Sequence, residues 1–534
     1  MWLATEMTQI MAESPTREDA GRAGHSHVRQ TLKNVVSNWG GYVFSIVVTF
    51  FLSPFVVHHL GNSAYGVWVL MVSLTGYLGV LDMGVRSAVT RYVAKFHTLG
   101  NHEEASRVAS SSIAIFSAAG AVAVLLAGGV AIGGVRHFAI PEAYRFQAQV
   151  VLTIAGLTVA TSLISGVFGG ILIGVQRFDL VNLVEVLNSG LRALLIVLAL
   201  RSGRGIVTLA LIQLAFSVTI GLVNLWMVFR LYPQLRIRIG FATRTHFGLI
   251  FSYSAYTFLL QVSSLLILYT DNVVVGLFLP VSLVTFFSIA GSLIEYSRGL
   301  TRGISSAITP LASKLDAEGD LAGLQSVTLN TAGYAAAIIM PIGLTFMLRG
   351  STFIGLWMGA EYAKLSGQVL WVLSLSALFA AGPGMGWAVM FGISKHKALV
   401  PVSLVEGLSN LVLSIILVRK MGIVGVAWGT TIPNVAVDLL FWPWYLHRTL
   451  KLPIRSYVLS AWGRPGLAMA PFVLGTLAFE KWRAPGNVLT FFVQVGLTLP
   501  LAIVGFWFLC VPAEDRQSAV RSIRQTIGGL LQRT

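Results

Sequence analysis

The sequence predicts an all-α integral membrane protein of about fourteen transmembrane helices: two similar six-helix lobes, then two further helices toward the C-terminal end. Three observations lead there. The chain of 534 residues is 55% hydrophobic and only 11% charged, with a mean hydropathy of +0.77, outside the balance of a water-soluble domain. Apolar runs recur from about residue 34 to residue 511, each long enough to cross a hydrocarbon core of roughly 30 Å at about 1.5 Å per residue. The chain also resembles itself when displaced by 217 to 219 residues.

Residues 1–33 are polar, mix both charges and contain no early apolar core, so a cytoplasmic tail without a cleavable signal is expected. Spans 1 to 6 follow at 34–57, 65–85, 109–134, 150–173, 181–200 and 206–229, and with their loops form an N-lobe over 34–247. Spans 7 to 12, at 249–277, 282–310, 326–348, 367–391, 400–418 and 423–445, form a C-lobe over 248–446. Spans 13 and 14, at 466–480 and 488–511, occupy 447–511 outside the repeat. In the tail 512–534, Val520, Ile523, Ile527, Leu530 and Leu531 recur at helical spacing among four arginines, which predicts an amphipathic helix on the inner surface.

The repeat is visible residue by residue. At a shift of 219, "GVRSAVTRYVAKF" (84–96) falls on "GISSAITPLASKL" (303–315), and seven of the 25 positions from 84 to 108 are identical to their counterparts. At a shift of 217, "GIVTLAL" (205–211) falls on "GIVGVAW" (422–428). Six spans is an even number, so both copies enter the membrane from the same side. The implied pseudo-two-fold axis runs along the membrane normal.

A formal charge of +16 raises nucleic-acid binding, but its distribution excludes that class. Of 37 Lys and Arg, 26 fall in the loops and tails on one side, 10 in those on the other, and Arg192 within a span. This is the positive-inside pattern with both termini cytoplasmic, and anionic membrane lipids are the expected partners of the basic face. Cys510 stands alone, so no disulfide framework or cysteine metal site is expected.

Polar side chains inside the spans form stripes. On span 5, Glu185, Asn188, Ser189 and Arg192 share one helix face. Asn38 lies on span 1, Gln213 on span 6, Gln261 and Asp271 on span 7, Glu406 on span 11 and Asp438 on span 12. A charge facing lipid at mid-bilayer costs at least about 2.5–3.5 kcal/mol, so these stripes are expected to face protein or water. Two blander readings stand beside a cavity: hydrogen bonds between helices, worth roughly 0.6 kcal/mol each, and a Glu185–Arg192 pair across two turns. Span 8 carries "LIEYSRGLTRG" (293–303). At about 1.5 Å per residue from Ser282, Glu295 lies some 20 Å in, Arg298 about 24 Å and Arg302 about 30 Å, all on one face. Snorkelling rescues Arg302 more easily than Glu295, so either Glu295 and Arg298 line a wet path or they form an ion pair.

Enzyme motifs are missing. "GPGMGWA" (382–388) has dinucleotide-like spacing but no strand before it, and there is no nucleotide-binding loop, zinc-protease motif or nucleophile elbow. No catalytic residue, metal or cofactor is expected.

"LKNVVSN" (32–38), "HLGNSAYGVWVL" (59–70), "LDMG" (81–84), "RYVAKF" (91–96) and "PLASKLDAEGD" (310–320) resemble the bacterial polysaccharide flippases, the O-antigen and teichoic-acid exporters of the multidrug, oligosaccharidyl-lipid and polysaccharide superfamily. The likeness covers nearly the whole chain. It implies a multi-pass protein of the bacterial inner membrane that moves an undecaprenyl-diphosphate-linked oligosaccharide to the outer leaflet by alternating access, in O-antigen or exopolysaccharide synthesis. It also implies a coupling ion, H+ or Na+, with a polysaccharide polymerase and export machinery as further partners. On that reading Arg192, Arg298, Arg302, Asn38, Asn188, Gln213 and Gln261 are the substrate-path candidates. Glu185, Asp271, Glu295, Glu406 and Asp438 are the ion-coupling candidates. Acids outnumber arginines within the spans, which leaves open a cation or drug antiporter of the same superfamily. A lipid II flippase is a closer alternative, although span 1 lacks arginine, and a membrane glycosyltransferase or polymerase a remote one.

Overall fold

The computed structural model describes residues 17–511 and 516–517, except for the side chains of 17–39, 42, 239, 244, 249, 251–257, 302–304 and 306. The amphipathic reading of 512–534 and residues 1–16 of the N-terminal tail therefore lie outside the described residues, as do the side chains of Asn38 and Arg302.

Helix α1 runs Arg17–Gly76 and so begins inside the stretch assigned to the tail. It breaks at Gly61, whose φ of 76° lies in the left-handed region that a residue without Cβ enters at no steric cost, and this separates spans 1 and 2. A tight turn over Tyr77–Asp82 leads into α2, Val85–Thr98. The rest of the first half is α3 (His102–Gly129), α4 (Glu142–Gly174), α5 (Phe178–Arg201) and α6 (Ile206–Leu231). The second half is α7 (Arg244–Phe278), α8 (Ser282–Ala317), α9 (Leu321–Trp357), α10 (Ala360–Gly392) and α11 (Leu399–Ala436). Helix α11 breaks at Gly422, with φ of 60°, and continues through a wide turn at Val437–Phe441 into α12, Trp442–Leu450. Short α13 (Ile454–Val458) and α14 (Arg464–Ala468), then α15 (Ala470–Trp482) and α16 (Val488–Leu509), complete the described chain.

Among the described residues ten helices are long and apolar enough to cross a membrane. Two of the ten, Val43–Thr98 and His396–Leu450, contain the breaks at Gly61 and Gly422, so each holds two of the sequence-read spans. Helix α8 is not one of the ten, because the Glu and Arg residues along it depress its hydropathy. Span 13, read as 466–480, is longer and interrupted, running from Ile454 to Trp482 with a wide turn at Leu459–Gly463.

The packing repeats with the sequence. In the first half α3 packs on α4, α4 on α6, α2 on α4 and α1 on α5; in the second, α9 packs on α10, α10 on α11, α8 on α10 and α7 on α11. The two extra helices α15 and α16 dock on α9.

The halves share one continuous core at one end only. One continuous apolar core runs through both of them there, taking in Val67 and Leu152 of the first half with Val284, Leu370 and Val426 of the second. At the other end the cores are separate, one around Val89 and Ile171 and one around Met385 and Leu446, and the start of α7 joins the first of them through Ile250 and through His246 Nε2, which meets Glu104 Oε2 at 2.9 Å. The joined end is the one that the charge pattern assigns to the outside. It is clasped by Trp357 Nε1 donating to the Phe50 carbonyl (3.1 Å), Tyr362 Oη to Asn62 Oδ1 (2.5 Å) and Thr285 Oγ1 to the Asn62 carbonyl (2.8 Å). Two backbone bonds add to it: Ala139 N to Gly276 O (3.1 Å) and Val281 N to Ala139 O (3.2 Å). Gly66 lets α1 approach so closely that a Cβ there would sit 2.1 Å from the Val281 carbonyl oxygen.

Candidate functional site: polar chambers between and within the halves

Three polar cavities hold most of the ionisable residues of the spans. The first, about 460 Å3, lies between the halves, with Tyr65 and Ser73 of α1 on one wall and Asp271, Glu295, Arg298 and Thr430 on the other. The second, about 430 Å3, lies within the second half and is lined by Ser264, Arg298, Glu406, Asn434 and Asp438. The third, about 310 Å3, lies within the first half and is lined by Arg86, Glu185, Asn188, Arg192, Gln213 and Asn224.

Arg298 faces both the cavity between the halves and the one within the second half. Helix α8 brings it there because Glu295 and Arg298 are one turn apart on the same face. Its Nη2 donates to Ser376 Oγ at 3.3 Å, and it forms no ion pair among the described residues, so the expected alternative of a Glu295–Arg298 pair is not formed. The guanidinium thus keeps donors free toward both cavities.

Asp271 is buried, and its Oδ2 accepts from Thr430 Oγ1 at 2.6 Å, while Asn410 Nδ2 donates to the same hydroxyl at 2.9 Å. Among the described residues Asp271 Oδ1 and Asn410 Oδ1 have no hydrogen-bond partner. Two buried acceptors without a donor are costly unless a proton, a cation or water completes them. Among the described residues no three His, Cys, Asp or Glu cluster as a metal site. These oxygens, one carboxylate among neutral groups, suit a proton or a monovalent cation better than a transition metal. Asp438 is also buried, on the wide turn that follows α11, and it shares a cavity with Glu406.

In the first half the stripe of α5 is a chamber wall. Glu185, Asn188 and Arg192 line it together with Gln213, and the alternative of a Glu185–Arg192 ion pair is not formed among the described residues. Gln261 lines none of the three; its Nε2 donates to the Gly79 carbonyl at 2.8 Å, across the seam between the halves. Asn272 to Ser73 (3.0 Å) and Tyr77 to Thr270 (2.7 Å) cross the same seam. Sequence reasoning passed over Thr430, Tyr65 and Arg86. The repeat held a signal for one of them, since Thr430 lies 217 residues after Gln213, which was singled out.

A duplicated helical bundle with charged residues turned onto internal cavities defines a multi-pass membrane protein with a polar interior. The sequence model described as "Polysaccharide biosynthesis protein" matches residues 31–316, and the chain belongs to that family. It is 23% identical over 427 residues to a Shigella flexneri protein named "Putative O-antigen transporter", covering 78% of this chain and 98% of the relative. The fold is similar to that of the solved structure "Lipid II flippase MurJ, inward closed conformation", with a TM-score of 0.71, 15% identity and 89% and 98% of the two chains covered. It is also similar to an inward-facing multidrug resistance MATE family transporter, with a TM-score of 0.68, 17% identity and 77% and 95% covered.

Proposed function

We propose that this chain is an export flippase that carries a lipid-linked oligosaccharide, on a polyprenyl diphosphate such as undecaprenyl diphosphate, from the inner to the outer leaflet of a bacterial inner membrane. Its role is transport, with no covalent bond made or broken. The observation that carries the reading is Arg298, a guanidinium with no ion pair among the described residues that forms a shared wall of the cavity between the halves and the chamber behind it. A guanidinium fork matches a phosphate bidentately, and the surrounding hydroxyls and amides suit sugar. The lipid chain can remain in the bilayer while the polar part crosses.

On this reading the halves, 34–247 and 248–446, work as lobes of a fourteen-span protein with cytoplasmic termini, and 447–511 travels with the second. The sealed outer end and separate inner cores correspond to an inward-facing state. Alternating access then requires the cargo or ion to bind the two states unequally. Asp271, with its unpartnered oxygen, is the first candidate to take the coupling ion, H+ or Na+, and Glu295, Glu406 and Asp438 line the adjoining space. Polymerase and export machinery are the partners that such cargo implies. The names of the relatives, an O-antigen transporter and a lipid II flippase, support the reading.

The same four acids around one arginine favour a second reading, a cation or drug antiporter. One experiment separates them. Arg298→Ala abolishes surface glycan at unchanged membrane levels if the chain is the flippase. Normal glycan in that variant, with loss of ethidium efflux in an Asp271→Asn variant, favours the antiporter.

A further inference from the structure

The chambers within the two halves occupy the same place in the two copies of the repeat. A shift of 218 residues carries Gly166 onto Gly384, Val181 onto Leu399, Glu185 onto Ser403 and Asn188 onto Glu406, and every one of these lines its chamber. A shift of 217 does the same for Ser217 and Asn434, and for Ile220 and Val437. The shape of the pocket has been duplicated, but its charge has inverted. The second-half chamber sets Glu406 and Asp438 against Arg298, whereas the first-half chamber sets Arg86 and Arg192 against Glu185.

We propose that the first-half chamber is a binding site for a phosphate or diphosphate group, with Arg86 and Arg192 as its cationic walls. It rests on the flippase reading only for the identity of the molecule that bears the phosphate. Arg192 is half-buried and forms neither an ion pair nor a hydrogen bond among the described residues. A guanidinium held purely for structure in this setting would be paired, because desolvation without a partner is costly. Arg86 is tied to Asp82 through Nε alone, at 3.4 Å. Its guanidinium lies on bare backbone: a Cβ on Gly166 would stand 2.7 Å from Nη2 and 2.8 Å from Nε. Glycine at 166 is therefore the residue that lets Arg86 reach the chamber. Asn188 and Asn224 each turn a buried, unpartnered Oδ1 into the same region, where hydroxyls beside a phosphate can donate to them. At about 1.5 Å per residue, Gly166 lies some 36 Å from the Glu142 end of α4, at the depth of the inner leaflet's headgroups, and the Arg86 guanidinium lies against it.

The test uses the full-length chain in phosphatidylcholine nanodiscs, with inorganic pyrophosphate as probe and calorimetry as readout. Arg192→Ala and Arg86→Ala are each expected to weaken the Kd by about tenfold or more, as loss of one charge-assisted fork requires. Gly166→Ala retains both arginines but displaces the Arg86 guanidinium, and is expected to weaken binding similarly. Arg145→Ala, at an exposed pair far from the chamber, leaves the Kd unchanged. A monodisperse size-exclusion peak for each variant excludes misfolding, and Arg192→Lys, which keeps the charge but loses the fork, falls between wild type and Arg192→Ala. Repeating the titration in phosphatidylglycerol nanodiscs distinguishes the sources: competition there assigns the site to lipid headgroups, and undiminished binding assigns it to a free or carrier-borne diphosphate. A wild-type Kd in both arginine variants, or no binding by wild type, overturns the proposal. If the Arg86→Ala, Arg192→Ala double variant binds pyrophosphate normally while wild type exports glycan in cells, the site falls and the flippase reading stands. If wild type binds through the two arginines but exports no glycan, the flippase reading falls and the site stands.

Discussion

Replacing Glu480 by Ala removes the carboxylate that meets Arg349 where α15 docks on α9. Arg349 is 1% exposed, and its Nε donates to Glu480 Oε2 at 2.6 Å and its Nη2 to Gln494 Oε1 at 2.6 Å. The guanidinium carbon lies 4.8 Å from the centre of the Phe491 ring, and Nη1 already has no partner. Thr352 also donates to Glu480, so the truncation frees two groups at once. Breaking a buried pair from one side costs about 3–5 kcal/mol, because it strands a desolvated charge. Glu480 is 28% exposed, so water can enter after truncation and the lower end, about 3 kcal/mol, is expected. At roughly 1 °C per kcal/mol for a chain of 534 residues, the melting temperature falls by about 3 °C. Heating in detergent followed by size-exclusion chromatography reads this directly. Glu142→Ala breaks the exposed pair with Arg145 and is expected to cost less than about 1 kcal/mol. The double change Arg349→Met with Glu480→Leu removes both charges and recovers most of the loss. Equal losses for Glu480→Ala and Glu142→Ala refute the assignment of a buried, mutually dependent pair.

Asp271→Asn keeps the shape that packs against Thr430 and Asn410 but removes the charge. Export is expected to fall about tenfold or more and to lose its response to ionophores, at unchanged membrane level; a wild-type ionophore response contradicts the coupling role. Tyr362→Phe deletes the hydrogen bond to Asn62 at the outer seal. A net loss of about 1 kcal/mol shifts the balance toward outward opening roughly fivefold. With Cys510→Ser and Ser288→Cys, labelling from outside by an impermeant maleimide rises accordingly, and an unchanged rate shows that this bond does not hold the gate.

The helices were legible because length and apolarity fix them: the ends read for spans 5, 6 and 7 fall within a few residues of α5, α6 and α7. Breaks at Gly61 and Gly422 were legible as gaps between apolar runs. Span 13 was cut short because Pro453 and Pro465 open short helical pieces, which no continuous hydropathy run reports. The α5 stripe pointed to a wall, yet Arg86 was read as a loop charge, since nothing in the sequence shows that α2 continues beside α4. Asp271, Asn410 and Thr430 come together from three spans, and Thr430 is one small hydroxyl in an apolar run. Contacts of that kind arise from the bundle's packing and leave no local spacing to read.

Helices α15 and α16 rest on α9 and are pinned to it by Arg349. They are passengers of one half. A dye on Trp482→Cys, with Cys510→Ser, would ride at fixed distance from α9 while its separation from a second dye on α5 changed with every cycle. The appendage thus offers a reporter of turnover that leaves all three chambers untouched.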